Sequence, residues 1–191
     1  PILVISGSCS PVSAQQIAWA EKCGFASVAV DTAAVAEQPD NPAVLASAIR
    51  KAIAKLANGQ SVVVHTSNSN TDARIAATDA VLQSRGYNDA DIRSLTAQLF
   101  GKALGLIAKA VLAETAIKRI VVAGGDTSSY AARAMGVEAV EMLAPLTPGA
   151  PICLAHAPNS PLDKKQIIFK GGQVGAENYY ESVARQDAVR A

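Results

Sequence analysis

Short apolar runs rich in β-branched residues alternate along this chain with longer segments of helical period, and this alternation limits the available folds more than any other feature. The runs that can form strands are residues 2–5, 27–30, 61–64, 119–122, 139–143, 152–155 and 166–169. Strands that alternate with helices are typical of βα units, which build one sheet with helices packed on its faces. We therefore predict an α/β fold of three layers, α/β/α, around a mostly parallel or mixed central sheet.

Several helical segments are well marked in the sequence. Residues 45–56 place apolar side chains every three or four positions and basic side chains on the other face, which predicts an amphipathic helix. A longer helix is predicted over residues 92–110, with Asn88 or Asp89 as its cap. The last helix is predicted from about residue 176 to residue 185.

Composition and charge exclude several classes of protein. The chain has 191 residues, of which 50% are apolar, so we predict one domain with one core over residues 1–191. The formal net charge is +1 and no basic run occurs, so a nucleic-acid partner is not expected. We find no signal peptide and no apolar stretch close to the roughly 20 residues that span a bilayer, so no membrane association is expected.

The cysteines indicate a reducing compartment. Cys9, Cys23 and Cys153 are far apart in the sequence and lack the CxxC spacing of zinc sites. Isolated thiols of this kind are typical of proteins in the cytoplasm, where disulfides are rare. We therefore predict a cytoplasmic location.

Polar and glycine residues gather where the predicted strands end, which is where ligands bind in open α/β sheets. The first strand leads into a Ser/Gly-rich turn that contains Ser8 and Ser10, followed by Pro11. Ser10 suits the N-cap of a helix, and Pro11 suits its first position. Because the N-terminus of a helix offers free N–H groups, this turn is either an ordinary capped turn or an anion site.

The fourth strand leads into Gly124, Gly125, Asp126 and Thr127, before a helix start that we place at the small residues 130–132. Adjacent glycines let the backbone approach a ligand closely. Thr127 can donate a hydrogen bond, and Asp126 can act on Mg²⁺ through water or on a ribose hydroxyl. The alternative is a tight glycine turn in which Asp126 only caps the helix.

A third glycine cluster, which contains Gly171 and Gly172, follows the last predicted strand and also precedes a helix. Taken alone, it is equally well explained as a simple turn. Three such turns at strand ends can converge on one polyphosphate. None of them is a P-loop, and none matches the dinucleotide-binding fingerprint.

The other polar candidates are weaker. His65 lies at a strand end and His156 in a proline-rich loop, where histidine usually bonds a neighbouring backbone group. Cys9 with a histidine would suggest a cysteine hydrolase, but no third orienting group is evident. A serine hydrolase would need a GxSxG elbow, which the sequence lacks.

At its three glycine turns the chain resembles the C-terminal nucleotide-binding domain of the four-carbon acid sugar kinases, a family once catalogued as domain of unknown function 1537. The likeness rests on VISGSCSPVSAQQIAWA at residues 4–20, VVAGGDTSS at 121–129 and FKGGQVG at 169–175. The resemblance implies transfer of the γ-phosphoryl of ATP, with Mg²⁺, to the terminal hydroxyl of a tetronate or 3-oxo-tetronate. It also implies that Ser8, residues 124–127 and Gly172 contact ATP.

In this family a separate N-terminal domain binds the sugar acid and carries an acidic motif that resembles DDxTGA, whose aspartate is the expected base. The present sequence lacks such a motif and begins at Pro1, directly before an apolar run. We therefore expect it to be cut from a longer polypeptide and to bind ATP or ADP without phosphorylating an acceptor by itself. The rival hypothesis is a non-catalytic nucleotide-sensing or assembly module. A homodimer is also expected.

One departure from the family concerns the third turn. Many relatives have KSGNFG where this chain has KGGQVG at residues 170–175. Gly172 matches the family pattern, whereas the neighbouring side chains differ.

Overall fold

Buried β-branched residues form the centre of the fold. A computed structural model of the chain, which describes residues 1–185, contains a seven-stranded sheet. In chain order the strands are β1 (Leu3–Ser6), β2 (Ala26–Ala29), β3 (Val62–His65), β4 (Arg119–Ala123), β5 (Ala139–Thr147), β6 (Ala150–His156) and β7 (Gln166–Lys170). Their spatial order is β2-β3-β1-β4-β7-β6-β5. β1, β3 and β4 are buried along their whole length, because both faces of the sheet are covered.

The sheet is mixed. Neighbours in the series β2-β3-β1-β4-β7 pair in parallel, whereas β6 pairs antiparallel with both β7 and β5. Ser6 lies opposite His65 on one side and Ala123 on the other, and Ala123 lies opposite Lys170. The carboxyl ends of β3, β1, β4 and β7 therefore stop at the same level of one edge.

Helices cover both faces of this sheet, which confirms the predicted three-layer α/β/α class. They are α1 (Pro11–Lys22), α2 (Thr32–Glu37), α3 (Ala46–Ala57), α4 (Ala73–Ser84), α5 (Asp89–Glu114), α6 (Asp126–Met135) and α7 (Tyr179–Arg185), with a 3₁₀ turn at Pro42–Leu45. α1 and α7 pack on one face through residues such as Ile17 and Tyr180. α3, α5 and α6 pack on the other through residues such as Ile107 and Met135. Because β1 and β4 send the chain to opposite layers, their loops diverge and open a crevice.

α5 and α6 lie in close contact because α5 carries glycine at two positions that face α6. A Cβ atom built on Gly101 would lie 2.6 Å from the carbonyl oxygen of Thr127, and one built on Gly105 would lie 2.5 Å from that of Ala131. Contrary to our sequence analysis, α5 is long and apolar enough to cross a membrane by length and composition alone. In this fold its buried side, which includes Val111, belongs to the core.

Two helix starts differ from the sequence prediction. α6 begins at Asp126 rather than at residues 130–132, because the preceding glycines let the chain turn directly from β4 into the helix. α7 begins at Tyr179 rather than near residue 176, and Gly175 before it has a φ of 88° that interrupts helical geometry. We also missed α2 and α4, which are rich in alanine and show little apolar periodicity.

Candidate functional site

The three glycine turns predicted from the sequence meet at one edge of the sheet. We call them loop 1 (residues 7–10), loop 2 (residues 124–127) and loop 3 (residues 171–175). They follow β1, β4 and β7, which are adjacent parallel strands. The N–H of Gly7 donates to the carbonyl oxygen of Ala123 at 2.9 Å, and the N–H of Gly124 donates to that of Lys170 at 2.9 Å. Main-chain pairing thus continues into the loops and fixes their relative positions.

Loop 3 is held against loop 1 and the start of α1 by two serine hydroxyls. Ser10 Oγ donates to the carbonyl oxygen of Gly172 at 2.7 Å, and Ser13 Oγ donates to the same oxygen at 3.0 Å. Ser10 Oγ also accepts from the N–H of Ser13 at 3.1 Å, which confirms its predicted N-cap role. Gly172 packs on Ser8 so closely that a Cβ atom at Gly172 would lie 2.5 Å from Ser8 Oγ.

A buried glutamine of α1 holds the second half of loop 3. Gln16 is fully buried, and its Nε2 lies 3.0 Å from the carbonyl oxygen of Val174, 3.1 Å from that of Gly175 and 2.9 Å from that of Ala176. Sequence reasoning missed Ser13 and Gln16. The sequence did carry a signal for them, because Ser10, Ser13 and Gln16 are polar residues spaced three apart at the start of α1. They lie on the face of α1 that also buries Ile17 and Ala20.

Loop 2 leads straight into α6 and leaves the start of this helix uncapped. Gly125 occupies the N-cap position and gives no side-chain hydrogen bond. Within residues 1–185 the N–H of Ser128 donates to the carbonyl oxygen of Gly125 at 3.0 Å, whereas those of Asp126 and Thr127 have no capping partner. The N-cap residue of α6 is therefore not Asp126. The alternative explanation of this turn, in which Asp126 caps the helix, is wrong on this point. Thr127 points inward instead, and a Cβ atom at Gly7 would lie 2.6 Å from its Oγ1. Gly7 and Gly124, whose Cβ atoms would both overlap the side chain of Thr127, are thus required for the fit of loop 2 on loop 1.

A cleft of ≈ 630 Å³ opens beside loops 1 and 2. It is lined by Gly7, Cys9 and residues 125–127 of loops 1 and 2, by Thr66 and Ser67 after β3, and by side chains of α4 and α5. Gly125 is exposed, and a Cβ atom built on it would meet nothing within 4 Å. The free N–H groups at the start of α6 therefore face a space large enough for a small molecule.

The predicted site residues divide into two groups around this cleft. Gly125, Asp126 and Thr127 line it. The second group does not line the cleft but forms a ridge beside it, in which loops 1 and 3 are packed together. This group contains Ser8, Ser10, Gly171 and Gly172. Gly124 is buried beneath loop 2, where its φ of 150° favours glycine.

His65, a weaker candidate, has a structural role. Its Nδ1 lies 3.0 Å from a guanidinium nitrogen of Arg74, and its Nε2 lies 2.9 Å from Ser27 Oγ. Burial, together with the nearby Arg74 charge, lowers the pKa of His65 to about 4. Since Arg74 can only donate, the neutral ring accepts at Nδ1 and donates from Nε2 to Ser27. Arg74 also pairs with Asp72 at 2.5 Å, and its hydrogen bonds hold the pKa of that carboxyl well below its usual range.

The histidines give no support to a cysteine hydrolase. His156 Nε2 lies 3.3 Å from Glu141 Oε2, and His156 Nδ1 lies 3.1 Å from Lys164 Nζ, at the end of β6 opposite to the loops. Both rings are thus engaged elsewhere, and neither pairs with the exposed thiol of Cys9.

Lys170 is a buried cation at the base of loop 3. Its side chain is 1% exposed, and its Nζ donates to the carbonyl oxygen of Gly171 at 2.9 Å and lies 5.8 Å from the centre of the Tyr179 ring. Burial lowers the pKa of Lys170 to about 8. Sequence reasoning treated Lys170 only as part of a motif, although a lysine that ends an apolar strand was a signal in itself.

A resident metal centre made of protein ligands is not found within residues 1–185. No group of three or more His, Cys, Asp or Glu side chains is close enough to hold an ion there. Asp126 is the carboxylate that lies nearest to the start of α6, and it is exposed to the cleft. This arrangement suits an ion that arrives with a phosphate ligand, since Mg²⁺ usually binds one or two carboxylates together with phosphate oxygens and water.

Known kinases are similar in sequence to this chain. The 3-oxo-isoapionate kinase of Paraburkholderia graminis is 35% identical over 182 residues, which cover 95% of this chain and 38% of the relative. The 3-oxo-tetronate kinase of Cupriavidus necator is 26% identical over 189 residues, which cover 97% of this chain and 38% of the relative. The chain thus spans about two fifths of the length of these relatives.

Solved structures and a family model agree with this similarity. A domain of unknown function 1537 from Bordetella bronchiseptica, described as a domain-swapped dimer with bound citrate, superposes with a TM-score of 0.67. It is 17% identical, and the match covers 96% of this chain and 40% of that one, so it supports the fold. The family model of the nucleotide-binding C-terminal domain matches residues 3–180. The chain therefore belongs to the nucleotide-binding C-terminal domain family found in the four-carbon acid sugar kinases.

Proposed function

We propose that this chain binds ATP with Mg²⁺ as the nucleotide-binding part of a kinase that phosphorylates the terminal hydroxyl of a four-carbon sugar acid, a tetronate or 3-oxo-tetronate. The observation that carries the proposal is the uncapped start of α6, which faces a cleft of ≈ 630 Å³ beside two further glycine turns. A helix N-terminus combines free N–H donors with partial positive charge, which is the combination that phosphates require. The names of the related kinases support the choice of nucleotide and acceptor.

The phosphates lie along loops 1 and 2 in this proposal. Gly125 leaves room for them, and the N–H groups of Asp126 and Thr127 donate to their oxygens. Asp126 acts on the nucleotide's magnesium ion, which neutralises phosphate charge. Ser8 and Gly172, on the adjoining ridge, contact the end of the phosphate chain.

The acceptor binds mainly to another part of the full-length protein. The relatives are more than twice as long as this chain, and the acidic motif expected to supply the base does not occur in it. Phosphoryl transfer depends chiefly on positioning and charge neutralisation, so two domains can divide these tasks and complete the site on closure. Residues 1–191 alone should bind nucleotide and transfer no phosphate to a tetronate.

Location and assembly are part of the same proposal. We place the protein in the cytoplasm, in line with the free and exposed thiols of Cys9 and Cys23. We also propose a homodimer, for which the dimeric Bordetella relative is the nearest support.

Calorimetric titration with Mg·ADP tests the proposal on three versions of the chain: the wild type, Gly125→Val and Ala54→Val. Gly125→Val adds a side chain in open space, so we expect nearly unchanged thermal stability and at least tenfold weaker binding. Ala54 is exposed on α3, away from the cleft, and Ala54→Val should bind like the wild type. Equal affinity in all three would remove loop 2 from the site, and absence of binding to the wild type would refute the nucleotide assignment.

A further inference from the structure

Two consecutive carbonyl groups of loop 3 are held by side chains. The carbonyl oxygen of Gly171 accepts from Lys170 Nζ at 2.9 Å and from the N–H of Val174 at 3.1 Å. That of Gly172 accepts from the two serine hydroxyls at the start of α1. The bond from Val174 closes a turn over residues 171–174, and the side-chain donors fix the orientation of its first two peptide units.

The fixed carbonyls also fix the N–H groups that follow them. The peptide bonds of the described residues are trans, and a trans peptide unit is planar, with its C=O and N–H pointing in opposite directions. The N–H of Gly172 therefore points away from Lys170 Nζ, and the N–H of Gln173 points away from α1. Within residues 1–185 neither N–H donates to a protein group. Two neighbouring donors of this kind are what a backbone turn offers to an anion.

Lys170 is an unusual residue beneath such a turn, because its charge is buried without an ionic partner. Its side chain is 1% exposed, and it forms no ion pair with any residue that the structure describes. A buried charge that lacks an opposite charge lowers stability. The contribution of Lys170 to folding therefore does not account for a lysine at this position.

The hydrogen bond to Gly171 does not account for the lysine either. The N–H of Val174 already satisfies this carbonyl oxygen, so an apolar side chain in place of Lys170 would leave no acceptor without a donor. What the lysine adds is a second donor that carries a full positive charge, close below the outward N–H of Gly172.

We infer that Lys170 is a positioning residue for phosphate, an inference that rests on the proposed function. Its ammonium group holds the Gly171 carbonyl toward the core, so that the N–H of Gly172 faces the ridge where the end of the phosphate chain is proposed to bind. Because the ammonium is buried, it acts through this peptide unit and through its charge, and not by contact with the ligand.

The test separates this role from a purely structural one. Lys170→Met removes the charge and the donor, and Lys118→Met removes an exposed lysine just before β4 as the matched control. Affinities for Mg·ADP and for Mg·AMPPNP, a non-hydrolysable ATP analogue, are measured by calorimetry. Urea unfolding measures the stability of each protein.

We expect Lys170→Met to be at least as stable as the wild type, since an apolar replacement of an unpaired buried charge is often stabilising. It should bind Mg·AMPPNP at least about tenfold more weakly, the effect of one hydrogen bond to a charged group, and lose less affinity for the shorter Mg·ADP. Lys118→Met should match the wild type throughout.

Two results would overturn the inference and leave the proposed function intact. One is wild-type affinity of Lys170→Met for Mg·AMPPNP. The other is a loss of stability together with equal losses for both nucleotides, since Lys170 would then only support the fold. Failure of the wild type to bind Mg·ADP would instead refute the proposed function.

A pH profile provides a readout that a structural lysine would not move. Burial lowers the pKa of Lys170 to about 8, so its charge is present at pH 7 and mostly lost at pH 9. We expect wild-type affinity for Mg·AMPPNP to fall severalfold over this range and that of Lys170→Met to stay level. Burial raises the pKa of the neighbouring Tyr179 to about 12 and also raises the pKa of Tyr180, so both phenols stay neutral.

The thiol that lines the cleft, Cys9, is replaced by serine in both proteins of this comparison, so that it does not titrate. The same pH dependence with and without Lys170 would show that its charge does not act on the ligand, and the inference would then be wrong.

Discussion

The side chain of Thr127 occupies the space that a Cβ atom on Gly7 would need, since such an atom would lie 2.6 Å from Thr127 Oγ1. We therefore predict that Gly7→Ala pushes Thr127 and the start of α6 away from loop 1. Overpacking of this kind lowers the free energy of unfolding by about 1–3 kcal/mol. Urea unfolding measures this loss, and calorimetry should show weaker binding of Mg·ADP as well.

Gly125→Ala is the matched control for that variant. A Cβ atom at Gly125 meets nothing within 4 Å, so its free energy of unfolding should stay within about 0.5 kcal/mol of the wild type. If Gly7→Ala were as stable as Gly125→Ala, the contact between loops 1 and 2 would not constrain the fold as we describe.

Gln16 should be essential for the conformation of loop 3. Its amide donates toward three carbonyl oxygens, those of residues 174, 175 and 176, and Gln16→Glu replaces the donor by an acceptor of the same shape. The side chain of residue 16 is fully buried, and a buried acceptor that faces carbonyl oxygens without a donor costs about 1–3 kcal/mol, so we expect a loss of this size in urea unfolding. Hydrogen exchange should also become faster in residues 171–176.

Gln15→Glu provides the control for charge, because Gln15 is the exposed neighbour of Gln16 on α1. It should leave both stability and hydrogen exchange unchanged. If Gln16→Glu and Gln15→Glu had the same stability and the same hydrogen exchange, loop 3 would keep its conformation without the amide of Gln16.

The thiols provide a direct measure of cleft occupancy. Cys9 is exposed and lines the cleft, whereas Cys23 is exposed at the other end of α1. We predict that saturating Mg·ADP slows alkylation of Cys9 by iodoacetamide severalfold and leaves the rate at Cys23 unchanged. Mass spectrometry of the two peptides follows both rates in one sample. Equal rates with and without nucleotide at Cys9 would place the ligand elsewhere.

Stability should fall in mild acid because of His65. The pKa of His65 is about 4 in the folded protein, against 6.5 for an ordinary histidine, since the ring is buried beside Arg74. Between these pH values the unfolded state binds more protons, so stability is fully present above pH 6.5 and is lost as the pH falls toward 4. From pH 7 to pH 5 we expect a loss of about 2 kcal/mol.

His65→Gln isolates this contribution, because glutamine does not titrate. Urea unfolding at pH 5, 6 and 7 should give a smaller pH dependence for the variant than for the wild type. Parallel curves for the two proteins would show that His65 is not the group responsible.

The sequence predicts the architecture and the positions of the glycine turns well, because both depend on local patterns. Apolar runs identified the strands, and Ser10 with Pro11 identified the start of α1. The strand order brings the three turns together. Their meeting could be expected from the rule that ligands bind at the carboxyl ends of strands in open α/β sheets. Their packing details could not be predicted, since Gly172 and Ser8 are far apart in the chain.

The part of the cleft that is lined by α4 and α5 was missed for a physical reason. It is built by α4, whose apolar periodicity is weak, and by the first turns of α5, whose polar side chains look like an ordinary solvated surface. Gln16 was missed because a polar residue on a buried helix face has meaning only when its partners are known. These contacts are tertiary, and no local pattern encodes them.

The glycine contacts between α5 and α6 have a mechanical consequence. Gly101 touches the backbone of Thr127, and Gly105 touches that of Ala131, so the two helices can shift only as one body. α5 has 26 residues and reaches from the cleft to the opposite edge of the sheet, a length of about 39 Å at 1.5 Å per residue. A shift of the α6 start that preserved these contacts would therefore have to carry α5 with it along its whole length.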